Sequence, residues 1–423
     1  MTSDEGSDRD IAGIHHSSPV THFFDRIAAA HISESDKRMY LLEHDAKELL
    51  YRYGVAVPKG LLIGREQTIQ RLAVAEGPWM VKGQIAAGGR GKAGIIRKAA
   101  TLQEITDLAN TMLGSTVKGR TVEAVRVEQQ VTGVEEAYVG LLLDAAAGGV
   151  RVILSAQGGM EVESLPPDAI RSEVAAAETG ALAACVGRLA VSFGGPRGKA
   201  LRDAGERLAR VFVESEAMLI EINPLFVYPD GRWIAGDAKF VTDDNALARQ
   251  PDQRALLERR APAYPEAALK HDHGFDYVVV DPQGEIGLLT TGAGLSMMLI
   301  DEMRAAGLKP YNFLDVRTGG LRGETTRLVK VLEWIGRGPR VRVLLINIFA
   351  GITDLGEFAS LLVAALAAVP DLKVPAVARL VGNGLPAARE VLAQAGIVLH
   401  TDLDEALTSV RAHLGQDRKL LTK

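Results

Sequence analysis

Two periodicities divide the chain. From Tyr40, apolar residues recur at helical spacing (Leu41, Leu42, Ala46, Leu49, Leu50) and the pattern stops at Tyr53-Gly54, a helix end. Short strands and helices alternate over 55–115. A second α+β block runs from about Arg126 to Asn245, with helical Ala-rich stretches over Glu173–Ala190 and Ala204–Glu214. The last third is more regular. Tyr277–Val280, Ile286–Thr290, Asn312–Val316, Val341–Ile348, Pro375–Leu380 and Ile397–His400 read as strands, most of them separated by helical patterns. That alternation predicts a parallel, doubly wound sheet. Residues 1–38 are polar and broken by His15-His16-Ser17-Ser18-Pro19; apart from a short amphipathic helix around Phe23–Ala30 they read as a mobile arm. The expected division is an arm over 1–38, an α+β unit over 39–262 and a doubly wound unit over 263–423.

The polar positions that interrupt this pattern carry the chemistry. Val81-Lys82-Gly83-Gln84-Ile85-Ala86-Ala87-Gly88-Gly89-Arg90-Gly91-Lys92-Ala93-Gly94 puts a lysine on an apolar strand and follows it with glycines and two more cations. Glycine lets backbone N–H groups turn toward an anion, and Lys82, Arg90 and Lys92 supply the charge that a polyphosphate needs. The run matches neither G-x-x-x-x-G-K-[ST] nor a G-x-G-x-x-G helix opening, so it is not a P-loop or dinucleotide motif. Taken alone it also suits a solvated hairpin.

A second constellation lies in Met218–Val227, Pro229-Asp230-Gly231 and Trp233–Lys239. Pro-Asp-Gly is a three-residue hairpin loop, a type I turn closed by glycine. Centred on Asp230, it sets Asn223 opposite Asp237 and Glu221 opposite Lys239 on one side of the ribbon. An Asn facing an Asp offers two oxygen ligands to a hard cation such as Mg²⁺, which takes few protein ligands and keeps waters and phosphate oxygens. Between the blocks, Glu128 beside a strand end can accept from a nucleobase amine or ribose hydroxyls, and Glu136 can meet the lysine or the cation; a pair of surface glutamates is the plain alternative.

In the last third, glycine-bearing turns follow several strands: Thr291-Gly292-Ala293-Gly294, Arg317-Thr318-Gly319-Gly320, Ala350-Gly351 and Gly382-Asn383-Gly384. Ligands of such sheets bind beyond the carboxyl ends of the strands, where helix N-termini present N–H groups.

Composition narrows the class. At 423 residues the chain is long enough for two or three domains, and 47% hydrophobic with 24% charged is ordinary for a globular protein. A net charge of −5 without aromatic–basic interleaving argues against nucleic acid. The single cysteine, Cys185, excludes an intramolecular disulfide and a cysteine metal site, and its Ala-rich surroundings read as packing. No apolar run reaches a membrane span and no signal-peptide core opens the chain, so a cytoplasmic protein is expected.

Together the motifs resemble the β subunits of succinyl-CoA synthetase and of malate–CoA ligase, ADP-forming acid–thiol ligases. The matching segments are K-x-Q-x-x-A-G-G-R-G-K-A-G, G-G-M-E-V-E, L-I-E-I-N-P-L, D-x-K, D-N-A-L-x-R-Q-P-D, G-A-G-L-x-M, N-F-L-D-V and N-I-F-x-G-I, in order from about Met39 to Leu414, nearly nine-tenths of the chain. The resemblance implies an ATP-grasp fold of two α+β subdomains over 39–262, followed by a flavodoxin-like doubly wound α/β domain. It implies ATP contacts from Lys82, Gly89, Arg90, Gly91, Glu128, Val131 and Glu136, and Mg²⁺ ligation by Asn223 and Asp237. Glu221 matches the family's glutamate that hydrogen-bonds a phosphorylated histidine. That histidine belongs to a separate α subunit, which also binds CoA, in an αβ or α₂β₂ assembly; none of the nine histidines here looks like its replacement. ATP and GTP are both open as donors.

The departures cluster at the acid-binding end. Thr291 stands where the family has Asn in Asn-Gly-Ala-Gly. Arg317-Thr318-Gly319-Gly320 stands where it has Gly-Gly-Gly-Ala, and Gly351-Ile352-Thr353-Asp354-Leu355-Gly356 where it has Gly-Ile-(Val/Asn)-Arg-Cys-Asp. Thr291, Arg317, Gly351, Ile352 and Thr353 are thus the expected substrate or partner loop residues. A new Arg317 and an Asp354 in place of an arginine move the charge, so an acid other than plain succinate is expected, among succinate, malate and related small acids. Two further readings compete: a stand-alone ATP-grasp ligase working through a free acyl phosphate, and a non-catalytic regulatory paralogue. Lack of a second nucleophile-binding domain weighs against the first; Lys82, Glu221, Asn223 and Asp237 weigh against the second.

Overall fold

The computed structural model describes residues 39–64, 77–160, 165–316, 323–351 and 353–415. The arm, its Phe23–Ala30 helix, Arg317 to Gly320 and Ile352 lie outside the described residues. Helix α1 (Glu43–Arg52) forms where the apolar spacing puts it, burying Ala46, Leu49 and Leu50. The chain leaves it through Gly54 at φ +76°, a conformation that costs glycine nothing.

Strands β1 (Gly60–Gly64), β2 (Trp79–Gln84) and β3 (Ile96–Ala99) are followed by α2 (Leu102–Met112), the hairpin β4 (Thr116–Val117) and β5 (Arg120–Thr121), and β6 (Ala124–Gln129). They build an antiparallel sheet in the order β1-β6-β2-β3. The Thr101 hydroxyl caps α2 by accepting from the Glu104 N–H, and Ile105, Ala109 and Met112 of that helix cover Ile63, Val81, Val125 and Val127.

A larger antiparallel sheet follows. Its elements are β7 (Glu135–Asp144), β8 (Gly149–Ser155), β9 (Ile170–Ala175), helices α3 (Thr179–Ala190) and α4 (Gly195–Glu214), then β10 (Ala217–Val227), β11 (Trp233–Ala235) and β12 (Lys239–Thr242). The order is β11-β10-β7-β8-β9, with β12 also on β10. Helices α3 and α4 press Leu182, Val186, Leu201 and Leu208 onto Val139, Leu141, Val152, Ile220 and Ile222, and Leu41, Leu49 and Leu50 join the same core. Each such fully buried Leu, Ile or Val contributes about 1.5–3 kcal/mol of transfer free energy. Cys185 is buried among them, as packing predicts. The sequence predicts helix over Glu173–Ala190, but its first residues belong to β9. There Ser155↔Ile170 through Val150↔Ala175 complete a ladder with β8, and that pairing overrides local helical preference. Helix α4 also begins earlier than Ala204, at Gly195 beside Pro196, which suits a first turn.

Helices α5 (Pro251–Arg259) and α6 (Pro265–His273) lead to the last unit, and α6 puts Ala267 into the preceding core and Leu269 into the next. That unit contains β13 (Asp276–Val279), β14 (Ile286–Thr290), α7 (Ala293–Ala305), β15 (Asn312–Asp315), α8 (Thr326–Gly336), β16 (Val343–Ala350), α9 (Leu355–Ala367), β17 (Ala376–Gly382), α10 (Leu385–Gln394), β18 (Val398–His400) and α11 (Leu403–Leu414). Strands β14-β16-β17-β18 are parallel. Leu344, Ile346 and Ile348 of β16 face α8, α9 and α10, while Val343 and Leu345 face α7 and α11, so the sheet is wound on both sides. One correction applies. Strands β13 and β15 are not part of the parallel ladder but pair antiparallel with each other. Strand β15 in turn joins β14 through the buried Asn312 carboxamide, which accepts from the Leu288 N–H at 2.9 Å and donates to the Leu288 carbonyl at 2.8 Å.

Candidate active site

The start of α1, strands β2, β6 and β10 and residues 236–239 after β11 form part of the lining of a cleft of about 2640 Å³. The hairpin has the expected register: Leu225 faces Ala235, Val227 faces Trp233, and Glu221 faces Lys239. Gly231, at φ +81°, closes the turn by donating its N–H to the Tyr228 carbonyl. Asn223 and Asp237 fall in the gap between the two paired stretches. Pro224 has no N–H for the ladder there, and a side chain at Gly236 would meet the Phe226 ring at 2.4 Å.

Into this gap turns the Gly236 carbonyl, which accepts from Lys47 at 2.8 Å and Lys82 at 3.0 Å. Both lysines also meet Glu43 Oε1, at 2.6 and 2.7 Å, and both reach Glu128. Arg90 bridges two carboxylates, Nη1 to Glu43 Oε2 at 2.7 Å and Nη2 to Asp237 Oδ1 at 2.6 Å. Arg126 completes the set on Glu128 Oε2 at 2.6 Å. Four cations (Lys47, Lys82, Arg90, Arg126) therefore enclose three carboxylates (Glu43, Glu128, Asp237), one positive charge in excess.

Burial alone would push the Glu43 carboxyl up, but Lys47, Lys82 and Arg90 outweigh it and hold it well below the usual range. Glu128 is likewise held low by Lys47 and Lys82 against its burial. For Lys82 burial is overcome by Glu43, Glu128 and Asp237, and its ammonium is held more firmly than in water. For Lys47 burial prevails and the pKa falls. His44 stays neutral: burial and the neighbouring Arg126 bring it down to about 4, and its Nδ1 accepts from Arg126.

The other sequence-selected residues distribute as follows. Gly89 turns the cradle at φ +70° and Gly91 is exposed beside it. Val131 is half-buried on the cleft wall, next to Gln129 and Gln130. Glu128 does not offer a free carboxylate to a base or ribose, because Lys47, Lys82 and Arg126 occupy it. Glu136 is exposed, and its Oε2 lies against Gly159, where an added Cβ would come within 1.8 Å. That same turn holds Asn223: the Gly159 N–H donates to Oδ1 and Nδ2 donates to the Met160 carbonyl, both at 2.8 Å.

At the carboxyl edge of the parallel sheet, Thr291 is buried and Gly292, at φ +82°, opens α7 and donates its N–H to Asp315 Oδ1 at 2.9 Å. Gly351 is exposed and Thr353 half-buried at the end of β16. Asp354, expected to move charge at the acid-binding end, is engaged as a cap: its Oδ1 accepts from Gly356 and Glu357 N–H at 2.8 and 3.0 Å at the start of α9, and Gly384 packs against its carboxylate. The helix N-terminus compensates part of that charge.

A model described as ATP-grasp domain matches residues 40–227, and one described as CoA-ligase matches residues 289–412. The ADP-forming succinate–CoA ligase subunit beta of Chloroflexus aurantiacus is 38% identical over 387 residues, 89% of this chain and 100% of that protein. The protein of the same name from Desulfurococcus amylolyticus is 34% identical over 380 residues, 88% of this chain and 98% of its own. The chain belongs to this succinate–CoA ligase β-subunit family. Its fold is shared with ATP citrate lyase from Methanothrix soehngenii, solved with citrate and coenzyme A: TM-score 0.66 over 89% of this chain and 100% of that one, at 20% identity. Among the described residues no helix is long and apolar enough to cross a membrane.

Sequence reading missed Glu43, Lys47 and Arg126 of this succinate–CoA ligase relative. The signal was present in part: charged residues on the apolar face of α1 and in the middle of β6. Glu43 and Lys47 lie four apart, a helical spacing that brings them into contact.

Proposed function

We propose that the chain is the nucleotide-binding β subunit of an ADP-forming carboxylate–CoA ligase. The observation that carries this reading is the convergence of Lys82, Arg90, Asp237 and Asn223 on one cleft wall, in a chain whose second domain ends its strands in glycine turns. In the proposed cycle the γ-phosphoryl of ATP passes to an imidazole nitrogen of the partner's histidine and ADP leaves. The carboxylate oxygen of a small acid then takes the phosphoryl, freeing the imidazole. Finally the CoA sulfur attacks the acyl carbon and inorganic phosphate departs.

Asn223 and Asp237 suit Mg²⁺ by donor chemistry: hard oxygens, one of them charged, with a guanidinium already standing where a cation belongs. When bound there, Mg²⁺ neutralises charge on the transferring phosphoryl group. Lys82 adds a fixed cation to the same phosphates, and its burial strengthens each contact it makes. Gly89, Arg90 and Gly91 bring backbone and guanidinium donors to the polyphosphate, and Glu136 and Val131 line its approach. Glu221 serves as the acceptor that orients the partner's imidazole.

Acid selection falls to Thr291, Gly351, Ile352 and Thr353, with Arg317 as the new cation. Thr291 offers a shorter donor than Asn, so an acid differing from succinate in length or substitution is the proposed preference. The partner is an α subunit carrying the histidine and the CoA site, in an αβ or α₂β₂ complex. Co-expression with a histidine-bearing, CoA-binding α subunit tests the reading: acyl-CoA and ADP should form together from ATP, with GTP assayed alongside, over a panel of small carboxylic acids. Acyl-CoA formation without any phosphohistidine, trapped by omitting acid and CoA, would overturn it.

A further inference from the structure

Both side chains proposed for the divalent cation already accept from the protein's own donors, each through its Oδ1. Among the described residues Asn223 Oδ1 accepts a backbone N–H, from Gly159, and an amide oxygen has a second lone pair. Asp237 is held differently. Its Oδ1 accepts the Arg90 guanidinium at 2.6 Å and the Ala238 N–H at 2.8 Å. Arg90 is only 8% exposed, and its other nitrogen is tied to Glu43, which is 2% exposed.

We infer that Arg90 is a stand-in cation for the metal: in the nucleotide-free protein it competes with divalent ions for Asp237, and phosphate oxygens draw it away as metal binds. This rests on the reading that Asp237 is a metal ligand.

Charge argues for the order. The cluster of Lys47, Lys82, Arg90 and Arg126 with Glu43, Glu128 and Asp237 already carries one excess positive charge. A bare divalent cation would raise that excess to about three in a site of low dielectric, a strongly repulsive state. Metal arriving with a nucleotide triphosphate of charge about −4 instead leaves the site near neutrality. Geometry supplies the movement. Glu43 Oε2 anchors Nη1 while Nη2 changes partner, and Arg90 lies in a turn bounded by Gly89 at φ +70° and Gly94 at φ +74°, with open space around Gly91. Arg90 thereby acts as a positioning residue for Asp237 before the nucleotide arrives and as a phosphate ligand afterwards.

The test uses the folded full chain and Mn²⁺ alone, with free Mn²⁺ followed by electron paramagnetic resonance. Arg90→Gln should bind Mn²⁺ without nucleotide at least about tenfold more tightly than wild type, and adding Asp237→Asn should erase that gain. With ADP present the order should reverse, since Arg90→Gln has lost a phosphate contact. Arg90→Lys, which keeps the charge with a single donor group, should fall between the two and serves if the glutamine variant does not fold. Equal Mn²⁺ affinity of wild type and the Arg90 variants without nucleotide overturns the stand-in role. Failure of Asp237→Asn to weaken Mn²⁺–ADP binding in an otherwise wild-type chain would instead remove the metal assignment beneath it.

Discussion

In the nucleotide cleft, negative charge is met by side chains: Lys47, Lys82, Arg90 and Arg126 converge from α1, β2, the glycine turn and β6, and each is held by a buried carboxylate or carbonyl. At the carboxyl edge of β14, β16 and β17 the described residues offer little of that kind. There the donors are backbone N–H groups at the starts of α7 and α9, opened by Gly292 and capped by Asp354. Under the proposed function the difference follows from what each end would have to do. A polyphosphate with its metal needs several full charges fixed before it arrives, and burial keeps them from reorganising. A small acid chosen among close relatives needs shape and a few well-placed donors, because an unpaired polar group rejects the wrong one.

Removing a cation from the first region should do the most damage. Lys82→Ala takes a buried ammonium partner from both Glu43 and Glu128 and leaves an unfilled space in the core, so urea unfolding should show a loss of about 3 kcal/mol. Phosphohistidine formation in the assembled complex should fall on the order of 1,000-fold. A chain that kept both within a few fold would put the phosphate anchor elsewhere. Asp237→Ala bears more on function than on stability, because its side chain is 28% exposed and Arg90 keeps Glu43 as a partner. Mg²⁺-dependent phosphohistidine yield should drop on the order of 100-fold or more while the unfolding free energy changes by no more than about 1 kcal/mol.

The second region should respond in selectivity rather than rate. Thr291→Asn restores a longer donor, and it should raise the kcat/KM ratio of succinate over malate and related acids by roughly 10- to 150-fold, about 1–3 kcal/mol. An unchanged ratio would take Thr291 out of the acid site, and succinate already leading in the wild type would remove the proposed preference itself.

The smallest effect concerns pH. His44 is held neutral at the base of the nucleotide network, its pKa brought down to about 4 against about 6.5 unfolded. The unfolded chain then binds more protons between those values. The stabilisation from His44 is fully present above about 6.5 and lost as pH falls toward 4, amounting to about 2 kcal/mol at pH 5. Unfolding midpoints at pH 7 and 5 should diverge for the wild type and much less for His44→Asn. A parallel loss in the variant would assign the acid sensitivity to other groups.

Local signals were sufficient wherever a short stretch specifies its own geometry. Pro229-Asp230-Gly231 sets the hairpin register and with it the facing of Glu221 and Lys239, because turn length and the period of two leave no freedom. The apolar spacing around Leu41–Leu50 likewise marked α1, and the strand–helix alternation marked the parallel sheet. Pairing was less legible. Strand β9 carries residues of moderate preference, and only its partner β8 decides between ladder and helix. Strand β13 runs against β15 for the same reason: strand direction lies in the connections, not in the apolar run.

The cleft shows the division most plainly. The sequence by itself identified Lys82, Arg90, Asn223 and Asp237, because a charged or amide group in an apolar strand or glycine turn is conspicuous along one dimension. Only the tertiary structure joined Glu43 and Lys47, on a helix, to Glu128 and Arg126, some eighty residues away on β6. It also turned Glu128 inward and used Asp354 as a cap. Buried charges are stable only when several elements bring partners to within hydrogen-bond distance at once, and that condition is a property of the assembled fold.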